Sequence, residues 1–265
     1  MTQAGSEEYV VRAVVRAAGL LDLLRAGDGG VSLRELATGS GLARASTYRM
    51  MRTLERIGLA ERVPGSDRYR LGVRCLELGQ AYLEQTDLRR EALPVMERLL
   101  EDFNETVHLG VLDDLRVVYL EKLESTHAVG IMMSRIGRSA PAYCTGLGKV
   151  LLAGEEADPV GTLAERDELR RCTPNTICEP AKLHEELERV RARGFSLDLE
   201  EHELGVRCVA APIRGADGDI VAALSIAGPA QRLPESKLTG TLAKAAIAAA
   251  DQVSRRLGAA GEAVA

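Results

Sequence analysis

The sequence predicts an α+β protein. A small N-terminal domain of short helices ends in a β-hairpin, a connecting helix follows, and helices then surround a mainly antiparallel sheet. Three observations carry this. Apolar residues recur at helical spacing through the first quarter of the chain, up to a Pro-Gly turn flanked by two strand-like runs. Beyond residue 105, strand-like runs separated by turn signals alternate with helical ones. Charge is also split: residues 1–75 hold 12 Lys+Arg against 8 Asp+Glu, a net of +4. The whole chain carries −5, which leaves −9 for residues 76–265. A basic end on an acidic protein points to nucleic acid at that end.

Residues 9–26 set Val11, Val14, Val15, Ala18, Leu21 and Leu24 at helical spacing. Asp28, Gly29 and Gly30 break the pattern as a turn. Ser32 with Glu35 three residues on is a capping box, so a second helix starts at Leu33 and runs to about Thr38, before Gly39-Ser40-Gly41. A third helix spans residues 43–57. Thr47, Met50, Met51, Leu54 and Ile57 share one face, and Arg44, Ala45, Tyr48, Arg49, Arg52 and Arg56 the other. Two strand-like runs then flank the turn Pro64-Gly65-Ser66-Asp67, with Arg68 near the tip.

This order is a winged helix-turn-helix, assigned to residues 8–71. An arginine-rich third helix suits the major groove, because arginine reaches guanine edges bidentately or holds phosphate. A solvated basic face on an ordinary helix is the plain alternative, and the helix-turn-helix spacing favours DNA. The candidate DNA-contacting residues are Ser32, Arg44, Ser46, Tyr48, Arg49, Arg52 and Arg68. Arg70 is a further candidate for phosphate or the minor groove.

At 265 residues the chain has room for two cores, and with no Trp and two Phe those cores are aliphatic. The same scarcity excludes stacking of bases on an aromatic platform. No apolar stretch reaches membrane-spanning length, and the N-terminus lacks a signal-peptide pattern, so the expectation is a soluble cytoplasmic protein. The five cysteines, Cys75, Cys144, Cys172, Cys178 and Cys208, form no CxxC pair. Cys172 and Cys178 are spaced too widely for a zinc knuckle, and the four histidines form no HExxH, so neither a metal nor another cofactor is expected.

A linker helix is expected from Leu71 to about Glu84, within a connecting segment 72–86, followed by a helix over 88–103. Strands follow at 107–112, 116–123 and 129–133. The run Tyr143-Cys144-Thr145-Gly146-Leu147-Gly148-Lys149-Val150 opens a helix. It lacks the first glycine and the final Ser/Thr of a P-loop, which excludes a nucleoside-triphosphate site. Amides of Gly146, Leu147 and Gly148 at that helix start can receive a carboxylate; equally, the glycines can serve only to make a tight turn. A charged helix over 179–193, strands at 195–199, 205–213 and 220–229, and a long helix over 234–257 complete the domain.

The segments GLARASTYRMMRTLERIGL, YCTGLGKVLLA, GFSLDLEEHELGVRCVAAPI and ALSIAGP occur in this order, and over residues 8–258 the chain resembles the IclR family of bacterial transcriptional regulators. The resemblance implies a winged helix, a linker helix and a GAF-like effector domain, here residues 87–258. It further implies a homodimer, or a tetramer built as a dimer of dimers, on a palindromic double-stranded DNA operator. It places an effector against Gly146, Leu147, Asp198, Cys208 and Ser225. Two departures stand out: Ala43 replaces a frequent proline, and Ala227 a frequent serine.

Loop amides favour an anion, an ionised Asp198 accepts from a hydroxyl and repels a second carboxylate, and Ser225 donates or accepts. The expected effector is therefore a small organic acid, such as a sugar acid or hydroxy acid, acting on a regulator that represses rather than activates. The alternative is a redox-sensing DNA-binding regulator using Cys208 or Cys144. Catalysis by Asp198 and Cys208 is set aside, because no histidine is placed in the sequence to activate the thiol.

Overall fold

A computed structural model describes residues 10–27, 29–127 and 133–259. It divides into two compact units, residues 1–82 and 83–265.

In the first unit α1 (Arg12–Ala26), β1 (Val31–Ser32), α2 (Leu33–Ser40), α3 (Arg44–Arg56), β2 (Ala60–Arg62) and β3 (Arg68–Leu71) follow one another. The capping box forms: Ser32 Oγ accepts from the Glu35 amide, and the Glu35 carboxylate accepts from the Ser32 amide. α2 runs two residues past the expected Thr38 and stops at Gly41, whose left-handed backbone (φ 65°) needs no Cβ. Leu20, Leu24, Leu36, Met51, Leu54, Ala60 and Tyr69 make the core. Ile57, expected on the apolar face of α3, is instead 42 % exposed, because the helix ends at Arg56. The unforeseen two-residue β1 pairs Val31 with Tyr69, making a three-stranded sheet in the order β1-β3-β2. α4 (Val73–Gln85) follows and buries no residue fully.

The second unit holds α5 (Asp87–Phe103), β4 (Thr106–Asp113), β5 (Arg116–Leu123), β6 (Ser139–Pro141), a 3₁₀ turn (Ala142–Cys144), α6 (Gly146–Ala153), α7 (Pro159–Glu165), α8 (Pro180–Arg193), β7 (Ser196–Leu199), β8 (Val206–Arg214) and β9 (Ile220–Pro229). The expected closing helix is divided: α9 (Glu235–Lys237) passes through a π turn (Leu238–Leu242) into α10 (Ala243–Arg256). The strand expected at 129–133 lies outside the described residues except for Met133, which is not in a strand.

The strands pair antiparallel in the order β6-β5-β4-β9-β8-β7. Side-chain alternation sorts β9 into two faces. Ala222, Leu224 and Ile226 enter a core shared with Val95, Met96 and Leu99 of α5 and Ala246, Ala250 and Val253 of α10. Ala223, Ser225 and Ala227 point the other way, where α6, α7 and α8 build a second core around Leu147, Leu151, Leu163 and Leu187. Ala223, Ser225 and Ala227 are small, and the room they leave beside α6 becomes the cavity described below.

Candidate functional site

Strand register brings distant residues together in the second unit. Asp198 lies opposite Cys208, Cys208 opposite Ala227, and His108 opposite Ser225. With the start of α6 above them, they line a small cavity that is partly open to solvent. All five residues singled out in the sequence, Gly146, Leu147, Asp198, Cys208 and Ser225, line it. His108, Tyr119, Ser134, Thr145, His202 and Glu203 line it too and were missed. His108 and Tyr119 sit in strands whose pairing partners no local motif reveals. Thr145 lies within the run that opens α6, where the glycines alone signal an anion site.

The glycines of the loop have a packing reason. A Cβ on Gly146 would stand 2.5 Å from Cys208 Sγ, and one on Gly148 would stand 2.1 Å from the Ala142 carbonyl oxygen. The three-amide anion site is smaller than expected. Thr145 caps α6 by accepting from the Gly148 amide at 3.1 Å, and the Gly146 amide faces Cys208 Sγ. The Leu147 amide remains. Ser196 Oγ donates to the Gly146 carbonyl at 2.5 Å and ties the loop to β7.

Asp198 departs from the simple ionised acceptor. Burial raises its pKa to about 7; Lys149 pulls it down, Glu201 pushes it up, and the Glu201 amide, donating at 2.7 Å, pulls it down again. Near neutral pH part of the population is protonated and can donate to a ligand oxygen. Repulsion of a second carboxylate is correspondingly relaxed. His108 is fully buried and lowered to about 3, by burial first and Lys122 next, so it is a neutral imidazole. Its Nε2 lies 2.9 Å from Ser134 Oγ and its Nδ1 3.4 Å from Ser225 Oγ. Ser225 thus shares its hydroxyl with a histidine.

Beneath the loop, the Lys149 ammonium pairs with the Glu201 carboxylate, with both side chains nearly inaccessible to water. The lysine that invited a P-loop reading is a structural cation. The other Glu201 oxygen, Oε2, is buried without a hydrogen-bond partner. Burial pushes the Cys208 and Cys144 thiols well above their ordinary value, which disfavours the thiolates a redox sensor needs. A second group shares His202 with the cavity: Cys144, Cys172 and His202 bring their ligand atoms within 4.8 Å of one another.

In the first unit, Arg44, Tyr48, Arg49 and Arg52 are exposed along α3, and Ser46 is half-buried. Among the described residues, Arg44 and Arg49 form no ion pair, whereas Arg52 pairs with Glu55 at 3.0 Å. Ser32 is occupied as the cap of α2. Arg68 is turned inward: its Nε donates to the Gly30 carbonyl at 2.9 Å and its guanidinium pairs with Glu35 at 3.1 Å. Arg70 pairs with Glu61 at 2.7 Å. Carboxylates one strand or one turn away therefore hold the wing arginines. No described helix is long and apolar enough to cross a membrane.

These features suit a DNA-binding transcriptional regulator, and comparison with known proteins places the chain in a family of such regulators. Residues 13–64 match the IclR helix-turn-helix domain and residues 80–255 the bacterial transcriptional regulator IclR C-terminal domain. The chain is 36 % identical over 208 residues to the HTH-type transcriptional regulator KdgR of Escherichia coli, covering 78 % of this chain and 79 % of that protein. It is 32 % identical over 231 residues to the transcriptional repressor IclR of the same organism, covering 86 % and 84 %. A crystal structure of an IclR homolog from Microbacterium hydrocarbonoxydans, complexed with 4-hydroxybenzoate, matches with a TM-score of 0.75 and 25 % identity, covering 92 % of this chain and 98 % of that one. The chain belongs to the IclR family of bacterial transcriptional regulators.

A buried acid whose pKa is raised on folding binds more protons folded than unfolded. Its stabilisation is full below its ordinary 3.8 and is lost as pH rises towards 7. Between about pH 5 and about pH 8 the melting temperature of the wild type therefore falls more than that of Asp198→Asn, as read by thermal denaturation. Lys149→Met strands the Glu201 charge and is expected to cost about 3–5 kcal/mol in urea denaturation.

Proposed function

We propose that this regulator is ligand-responsive, a repressor whose second unit binds a small hydroxylated organic acid. The observation that carries the reading is the convergence of Gly146, Leu147, Asp198, Cys208 and Ser225 on one cavity, in a chain that also presents the exposed guanidiniums of Arg44 and Arg49 along α3. The Leu147 amide and the protonated form of Asp198 suit a carboxylate. Ser225, whose hydroxyl lies against the neutral His108, suits a hydroxyl. That a homologue was crystallised with 4-hydroxybenzoate supports the hydroxy-acid class.

At the DNA end, Arg44, Ser46, Tyr48 and Arg49 reach into the major groove, and Ser32 orients the start of α2 near a phosphate. Arg52 and Arg68 contact phosphate after giving up Glu55 and Glu35. The working organisation is a winged helix over 8–71, a linker over 72–86 and an effector domain over 87–258. Exposed Val10, Val14 and Val15 at α1, and Val73, Leu76 and Tyr82 on α4, support pairing with a second copy, hence a palindromic operator. Effector binding changes operator affinity only as far as the ligand distinguishes the DNA-competent state from the other.

Fluorescence anisotropy on DNA from upstream of the protein's own gene, with a panel of sugar and hydroxy acids, tests this. Salt-sensitive binding weakened by one such acid is expected, with the acid's affinity falling as pH rises through about 7, where Asp198 loses its proton. A response confined to cationic ligands, or no response to any acid in the panel, overturns the effector assignment. Arg49→Ala is expected to lower operator affinity and to relax discrimination by about 1–3 kcal/mol at one base pair. Equal weakening on every sequence would instead assign Arg49 to phosphate.

A further inference from the structure

Cys144, Cys172 and His202 are separated by 28 and 30 residues in sequence. Cys144 ends the 3₁₀ turn before α6, Cys172 lies in the loop between α7 and α8, and His202 in the acidic loop between β7 and β8. Cys144 Sγ lies 3.8 Å from Cys172 Sγ and 3.6 Å from His202 Nδ1. Zinc binds sulfur at ~2.3 Å and imidazole nitrogen at ~2.0–2.1 Å. At the tetrahedral angle this sets two sulfurs about 3.8 Å apart, and a sulfur and a nitrogen about 3.6 Å apart. Both of these separations match, and the third, between Cys172 Sγ and His202, lies within 4.8 Å.

The loops that carry these ligands are held in place. Thr173 Oγ1 donates to the Glu200 carbonyl at 2.6 Å and Thr176 Oγ1 to the Glu201 carbonyl at 2.7 Å, which stitches the Cys172 loop to the residues just before His202. Thr176 Oγ1 also accepts from the Cys172 amide at 3.1 Å. Cys144 is buried and Cys172 exposed, so an ion has an open side from which to enter.

We infer that Cys144, Cys172 and His202 form a binding site for one zinc ion, with two thiolates, one imidazole and a fourth position left for water. A disulfide would need only the two sulfurs, whereas here an imidazole nitrogen converges on them as well. Two thiol protons pass to buffer for each zinc bound. The ion clamps three segments, two of which flank the cavity. The inference does not depend on which effector the cavity takes.

The test uses the full-length protein, reduced, stripped with a chelator and titrated with zinc against a chromophoric competitor. One equivalent of zinc is expected, with a melting temperature that climbs with zinc concentration. Cobalt(II) in its place should give thiolate charge-transfer absorption. Outer-shell changes alone cost ~10–100-fold in metal affinity, so loss of a ligand in Cys172→Ser or His202→Gln should cost about 100-fold or more. Cys178→Ser, whose thiol lies outside the group, should bind as the wild type does. Should Cys144→Ser fail to fold, the exposed Cys172→Ser still decides. Absence of zinc uptake by the reduced protein, uptake of copper(I) alone, or zinc affinity unchanged in Cys172→Ser each overturns the inference.

Discussion

The second unit is organised around the ion pair between Lys149 and Glu201. Lys149 lies on α6, in the helix that opens over the sheet, and Glu201 lies in the loop that follows β7. A buried pair of this kind adds little net stability over an apolar one, but losing either partner is costly, so it selects one arrangement of helix against loop. Around it sit groups that depend on that arrangement. Asp198 receives the Glu201 amide, the Glu201 carbonyl anchors Thr176, and His202 follows directly in the chain. The charges of Lys149 and Glu201 act in opposite directions on Asp198, and burial outweighs both, which sets that carboxyl near neutrality.

The cavity owes its existence to side-chain size on one face of the sheet. β9 places Leu224 and Ile226 against α5 and α10, and Ser225 and Ala227 on the opposite face. Close packing would fill a face of large side chains. Here small ones on β9, and Gly146 at the start of α6, let the helix approach β8 while leaving space beside it. Ala227 therefore offers the wall no side-chain polar contact and leaves its shape open.

The two ends of the chain handle charge differently. On α3 Arg44, Arg49 and Arg56 project without a carboxylate partner among the described residues, which keeps them available to phosphate and base edges. In the wing, Arg68 and Arg70 are held by Glu35 and Glu61. Such exposed pairs are weak, worth at most about 1 kcal/mol, so a phosphate can compete for the arginine. They also fix the hairpin: Arg68 links the wing to the capping box that begins α2.

What the sequence determined by itself was local. Periodicity, the Ser32–Glu35 cap and the Pro64-Gly65 turn depend on residues a few positions apart, and each appears in the structure near its expected place. Motif resemblance, not spacing, led to Asp198, Cys208 and Ser225, since nothing in their local sequence ties them together. Tertiary structure decided the rest. It took the register of β4, β8 and β9 to seat His108 opposite Ser225, and the burial of Asp198 to change its protonation. The two-residue β1 forms only because β3 is there to pair with it. Cys144, Cys172 and His202 are invisible to any spacing rule because three loops converge on them. Pairing, burial and convergence are properties of contacts between distant segments, and no short window of the chain contains them.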